Sequence, residues 1–169
     1  MRHLIALLAA LVVSSPGPSR SGEERITEVR IDKSEHRLDL VSEGRVVKSY
    51  VVAIGPGGPG YKRMEGDKVT PVGTYRIQGR WKGLFHQFMT VSYPSAEDRV
   101  RYAEAKRRGE IPAGVGIGGG IGIHGIDSKD WKGKHKQSDW TLGCIALDDD
   151  EIDEIARRVK DGTKVVIED

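Results

Sequence analysis

The chain reads as an α+β domain, mostly β, with two helices inserted among strand-forming segments. Three observations carry this reading. Apolar and polar side chains alternate with a period of two over residues 26–54. Glycine is frequent, at 22 residues, while aromatics make up only 6%, which suits a turn-rich sheet better than a helical bundle. Only two segments, residues 95–108 and 148–159, combine a capping signature with a helical stripe.

The elements follow in order. Arg37, Leu38, Asp39 and Leu40 alternate, Ser42-Glu43-Gly44 supplies a turn, and residues 46–54 return with Val46, Tyr50, Val52 and Ile54 on one face. That is a strand, a turn and a strand. Residues 55–60, Gly-Pro-Gly-Gly-Pro-Gly, cannot extend it, because proline removes a ladder donor and glycine adds backbone entropy. The polar residues 61–70 lengthen that loop, and long loops beside a site line substrate. Residues 73–78 and 88–93 read as further strands. In the first helix Ser95 caps, Asp98 completes the box, Ala96, Val100 and Ala103 form a narrow apolar stripe, and Gly109 ends it. Residues 120–124 form a short strand. In the second helix Asp148 caps, Glu151 completes the box, and Ile152, Ile155, Ala156 and Val159 repeat at helical spacing before Gly162. Acidic residues open this helix and Arg157, Arg158 and Lys160 close it, matching the macrodipole. Residues 163–168 are the last strand.

Arg2 and His3 precede an unbroken apolar run over residues 4–13, the length of a secretory leader and too short for a membrane span. Cleavage is expected before Glu23, giving a signal peptide of residues 1–22, with an uncleaved anchor as the alternative. The roughly 145 residues that remain suffice for one domain with its own core. Lysine and arginine total 27 against 25 aspartates and glutamates, so the net charge is +2, with the signs mixed and no long basic block. Nucleic acid is therefore not an expected partner. Export to the periplasm or cell envelope is expected, with no stable membrane span after leader cleavage.

Cys144 is the single cysteine, so no internal disulfide forms, and a free thiol in an exported chain points to a use for it. A thiol needs a base to attack a carbonyl, and His124 lies twenty residues upstream. In the strand 120–124, Ile121 and Ile123 point one way, Gly122 and His124 the other; the same parity separates Cys144 and Ala146 from Ile145 and Leu147. Gly143 lets the backbone turn, and its N–H with that of Cys144 can form an oxyanion hole. Taken singly, a buried cysteine and a sheet histidine are the commoner fates of these residues. A metal site from His124, His135 and Cys144 with Asp127, Asp130 or Asp139 matches no zinc spacing, so neither metal nor cofactor is expected. His135 is read as solvated in the polar loop 129–138. Trp131 and Trp140 can wall a cleft, although packing is the default role of tryptophan.

The segment Thr141-Leu142-Gly143-Cys144 resembles the Ser/Thr-His-Gly-Cys signature of the L,D-transpeptidase catalytic domain family, and His124-Gly125 its His-Gly element. Thr70-Pro71-Val72-Gly73-Thr74-Tyr75 and Ser92-Tyr93-Pro94 extend the likeness, which covers roughly residues 27–167. The resemblance implies an L,D-transpeptidase-like β-sandwich or mixed sheet and a catalytic domain over residues 23–169. It implies attack by Cys144 on a peptidoglycan stem peptide at the L-centre of diaminopimelate, with His124 as base and the carbonyl of Gly125 steering its ring. An amine or water then resolves the thioacyl-enzyme. Leu142 replaces the usual histidine, and Ala146 stands where arginine or asparagine is frequent. The run from Asp139 to Ala146 is similar to a subgroup that includes a hydrolase releasing lipoprotein from peptidoglycan, so an amidase and a wall-linked lipoprotein partner stand beside the transpeptidase. Trp140, Thr141, Leu142, Tyr61 and Lys62 are the expected substrate-binding residues. Lys62, with Arg63 and Lys68, is a candidate for stem-peptide carboxylates, against solvation as the usual state of exposed loop charges. A wall-binding module without turnover and a redox sensor built on Cys144 are the rivals.

Overall fold

The computed structural model describes residues 24–169, so the expected leader and its cleavage site lie outside the described residues. Eight strands form one mixed sheet. In chain order they are β1 (Glu28–Asp32), β2 (Arg37–Ser42), β3 (Arg45–Val51), β4 (Gly73–Gly83), β5 (His86–Val91), β6 (Gly122–His124), β7 (Ile145–Ala146) and β8 (Lys164–Glu168). Their spatial order is β3-β2-β1-β8-β4-β5-β6-β7. The pairs β1–β8 and β6–β7 are parallel, and the other five are antiparallel. Two α-helices, α1 (Ala96–Arg107) and α2 (Asp149–Arg158), and two short 3-10 helices, Lys129–Trp131 and Lys134–Gln137, complete the fold.

Strand β4 joins two halves of the sheet. Its first residues, Gly73–Arg76, pair with β8, and from Ile77 onward it pairs with β5, with an irregularity in that ladder between Ile77 and Gly79. The sheet then returns on itself: past the end of β3, Ala53 bridges Ala146 of β7, with N···O distances of 3.0 and 2.8 Å. The enclosed core takes Val29, Ile31, Leu38 and Leu40 from one half and Ile77, Met89, Ile123 and Ile145 from the other. Helix α2 closes it with Ile152 and Ile155, and the C-cap residue Val159 adds to them; the burial of each contributes roughly 2 kcal/mol.

Three local expectations change. Residues 26–54 hold three strands, because a turn over residues 33–36 separates β1 from β2. Val46 is 49% exposed and does not share the face of Tyr50. Pairing shifts from Leu40 opposite Lys48 to Val41 opposite Val46, leaving Val47 as an extra residue that inverts the parity of what precedes it. Helix α1 forms where expected, with Ser95 and Asp98 as a capping box and Gly109 at φ +73° past its end. Its stripe of Ala96, Val100 and Ala103 faces solvent, however, with Val100 58% exposed. What holds the helix is polar: buried Asp98 accepts hydrogen bonds from the Tyr75 hydroxyl (3.1 Å), the Ser95 N–H (2.8 Å) and Arg101 (2.5 Å), and Ala105 alone supplies a buried apolar side chain.

Candidate active site

The parallel register of β6 and β7 places His124 beside Ala146 and Ile123 beside Ile145, which brings Cys144 alongside Gly122. By that register Cys144 and His124 lie on the same face of adjacent strands, two positions apart. Ile121, Ile123, Ile145 and Leu147 point into the core, so the parity argument holds.

His124 is buried in an aromatic box. Phe88 stacks on it at 5.6 Å and 4°, Phe85 lies 4.5 Å away, and Trp140 meets it edge-on at 6.0 Å. Gly122 makes room for this box, because a Cβ there would fall 2.2 Å from the Phe88 ring. His124 Nδ1 lies 2.6 Å from the carbonyl oxygen of Gly125. A carbonyl only accepts, so Nδ1 carries the proton and the neutral ring keeps Nε2 as its basic nitrogen. Burial lowers the pKa of His124 below its ordinary value, the Gly125 bond opposes that, and the charge of His135 adds to the lowering.

The Cys144 thiol is half-buried and donates to the carbonyl of Gly120 at 3.5 Å. Burial pushes its pKa up, while the backbone of Gly122 and the ammonium of Lys62 pull it down less strongly. A raised thiol beside a depressed imidazole describes a resting pair that is neutral on both sides.

The turn that presents the thiol is tightly held. Thr141 Oγ1 donates to the Cys144 carbonyl at 2.7 Å and accepts the Gly143 N–H at 3.1 Å. The resting Gly143 N–H is thus committed to Thr141, contrary to its expected place in an oxyanion hole; the N–H of Cys144 has no intramolecular acceptor among the described residues. Gly143 has φ +123°, and a Cβ on it would lie 2.7 Å from the Val69 carbonyl oxygen, so only glycine fits. The N–H groups of Trp140 and Thr141 both reach the Ile54 carbonyl, at 3.1 and 3.2 Å, and Asp139 accepts the Ile54 N–H at 3.1 Å while pairing with His36. Sequence reasoning missed His36, Phe85 and Phe88, and met Asp139 only as a candidate metal ligand and motif residue, because their roles depend on partners between 36 and 103 residues away.

The other expected residues divide. Leu142 is 72% exposed, next to the glycine that precedes Cys144. Trp140 belongs to the histidine box, and Tyr61 is exposed with the Arg101 guanidinium 4.0 Å above its ring. Lys62, expected to be solvated if not bound to substrate, is buried and paired with Asp67 at 2.5 Å. Arg63 pairs with Glu110. Lys68 is exposed, on the segment that packs against Gly55. His135 is not solvated: it is 1% exposed, 3.2 Å from Asp148 Oδ1, and edge-on to Trp140 at 6.3 Å. The polar loop folds into two 3-10 turns around this histidine because Asp148 also accepts the Gly133 N–H at 2.8 Å. Among the described residues the cluster with metal-ligand character is His86, Asp127 and Asp149, which shares no residue with the Cys144 site. Asp149 in that cluster already accepts the N–H groups of Ile126 and Asp127.

Comparison with known proteins agrees with this geometry. The family model described as L,D-transpeptidase catalytic domain, YkuD, matches residues 26–167. Among solved structures, the helical cell shape determining protein Pgp2 from Campylobacter jejuni is 25% identical with a TM-score of 0.63, over 87% of this chain and 49% of that one. Bd1075 from Bdellovibrio bacteriovorus is 24% identical with a TM-score of 0.56, over 85% and 48% of the two chains. An L,D-transpeptidase from Mycobacterium smegmatis is 15% identical with a TM-score of 0.55, over 84% and 58%. These last two likenesses show the fold. The chain spans about half the length of Pgp2 and of Bd1075. Comparison with curated proteins gave no match. With the family model covering nearly all of the described domain, the chain belongs to the L,D-transpeptidase catalytic domain family.

Proposed function

We propose that this protein is an exported L,D-transpeptidase that works on peptidoglycan stem peptides through a thioacyl-enzyme on Cys144. The observation that carries the reading is the fixed tautomer of His124: its Nδ1–H is held by the Gly125 carbonyl at 2.6 Å, so Nε2 is free to serve the thiol on the neighbouring strand. The Cys144 sulfur attacks the carbonyl carbon at the L-centre of diaminopimelate, and its proton passes to His124 Nε2. The resulting oxyanion is met by the Cys144 N–H; the Gly143 N–H joins it only if it leaves Thr141. As the tetrahedral intermediate collapses, the amide C–N bond breaks and His124 returns its proton to the leaving amine. A second amine then attacks the thioester and regenerates the thiol. Trp140, Thr141, Leu142, Tyr61 and Lys62 are assigned to the walls that receive the peptide.

Hydrolysis is the second reading, because the run from Asp139 to Ala146 is similar to that of lipoprotein-releasing enzymes and every step up to the thioester is shared. A wall-bound lipoprotein is then the leaving partner. Muropeptide analysis separates these outcomes. Incubation with diaminopimelate tetrapeptides and an excess D-amino acid is expected to give exchanged or cross-linked products with wild type and none with Cys144→Ala. Tripeptide alone, unaffected by added amine, identifies the hydrolase. No product and no acyl adduct on Cys144 with wild type overturns both and leaves the binding module, and equal processing by Cys144→Ala overturns the cysteine mechanism.

A further inference from the structure

A cavity of about 340 Å³ opens between the loop that follows Pro59 and helix α1. Lys62, Arg63, Arg101 and Arg108 line it with the ring of Tyr61, and Glu104 is the single acid among its lining residues. Lys62 pairs with Asp67 and Arg101 with Asp98, while the other two cations have one paired carboxylate between them. Arg63 and Arg108 share Glu110, whose Oε1 lies 2.6 Å from Arg108 Nε. Arg101 spreads its guanidinium over Tyr61 at 4.0 Å, bonds Asp98 through one terminal nitrogen, and leaves a buried Nε without a partner. Stacking on a ring fixes the plane of a guanidinium, and the terminal nitrogen of Arg101 that is not bonded to Asp98 is the group it has left to offer an anion.

Cys144 does not line this cavity, and Lys62 connects the two. Its ammonium forms part of the wall and acts electrostatically on the thiol. Through Asp67, which also accepts the Val69 N–H at 3.0 Å, it is tied to the segment whose Val69 carbonyl packs on Gly143.

We infer that this cavity is a subsite for a free carboxylate of the stem peptide, recognised by Arg101, Arg63 and Arg108 away from the reacting bond. The inference rests on the proposed peptidoglycan substrate, and its test is arranged to be independent of turnover. Binding of a diaminopimelate tetrapeptide, and of derivatives with one free carboxylate amidated at a time, is measured by calorimetry on Cys144→Ala protein, with and without the added pair Arg63→Gln and Arg108→Gln. Both arginines are more than half exposed, so the pair leaves the core untouched. Loss of a charge-assisted contact is expected to weaken the free-acid peptide about tenfold. One amidated derivative is expected to bind the parent about tenfold more weakly and to be indifferent to the arginine pair. Equal weakening of all peptides by the pair, or of none, overturns the subsite. Arg101→Lys, which keeps the charge but loses the planar fork, is expected to weaken only the peptides that retain that carboxylate; an unchanged affinity counts against the subsite as well. Coupling without product from wild type would sink the catalytic reading alone.

Discussion

At the scale of single residues, the chemistry depends on how two ordinary side chains are surrounded. His124 gains its orientation from one backbone carbonyl and its low basicity from three aromatic neighbours, while the Cys144 thiol is pushed up chiefly by burial. The sign of these shifts has a direct consequence. A raised thiol holds little thiolate near neutrality, so alkylation of Cys144 by iodoacetamide is expected to quicken steadily with pH to beyond about pH 8.5, the ordinary thiol value. A rate that is already flat around neutral pH would show a preformed thiolate–imidazolium pair and contradict the neutral resting state. The positions of these two residues were legible from strand parity and from the glycines beside them. The box was not, since Phe88 reads in sequence as one more apolar strand residue. Only the pairing of β5 with β6, Phe88 opposite His124, shows what it covers.

At the scale of elements, local signals located the helices and their caps, and long-range partners decided which faces they bury. Helix α2 behaves as its periodicity requires, with Ile152, Ile155 and Val159 in the core. Helix α1 does not, because its weak stripe of alanines and one valine offers less than the bonds gathered by Asp98. Replacing Asp98 by Ala leaves the Tyr75 hydroxyl, the Ser95 N–H and Arg101 without their common acceptor. The expected cost is roughly 3 kcal/mol, the range for removing one partner of a buried ion pair, measured by urea unfolding. Val100→Ala, on the exposed face, is expected to change stability by less than about 0.5 kcal/mol. A reversal of that order would restore the apolar stripe as the anchor. The parity error at Val46 belongs here too, since one extra residue in a strand has no signature in alternation until the partner strand is seen.

At the scale of the molecule, the sheet that closes through Ala53 and Ala146 carries its carboxylates and histidines into one pH profile. Burial of Asp67 and Asp148 raises their pKa values, but Lys62 and three backbone N–H groups for the first, and Gly133, Lys136 and His135 for the second, leave both below the ordinary value. Lowered carboxylates contribute stability that is present above the unfolded pKa of about 3.9 and is lost as pH falls through the folded one. His124 and His135 are also lowered, mainly by burial, so the unfolded chain binds protons first and stability declines as pH drops below about 6.5. His86, raised by Asp153, works in the opposite sense, but it is partly exposed and contributes little. The urea midpoint is therefore expected to fall in two stages on acidification, below about pH 6.5 and again below about pH 4. A midpoint unchanged between pH 7 and pH 5 would contradict the burial of two neutral histidines.

The central claim is that Cys144 is acylated by a stem peptide with His124 as its base, and the intact mass of the protein tests it most directly. Wild type quenched in acid during reaction with a diaminopimelate tetrapeptide, without added amine, is expected to gain the mass of the acyl donor minus that of the free amino acid released, mapped to Cys144 and absent from His124→Ala. No adduct on Cys144, or the same adduct forming equally fast in His124→Ala, would contradict it.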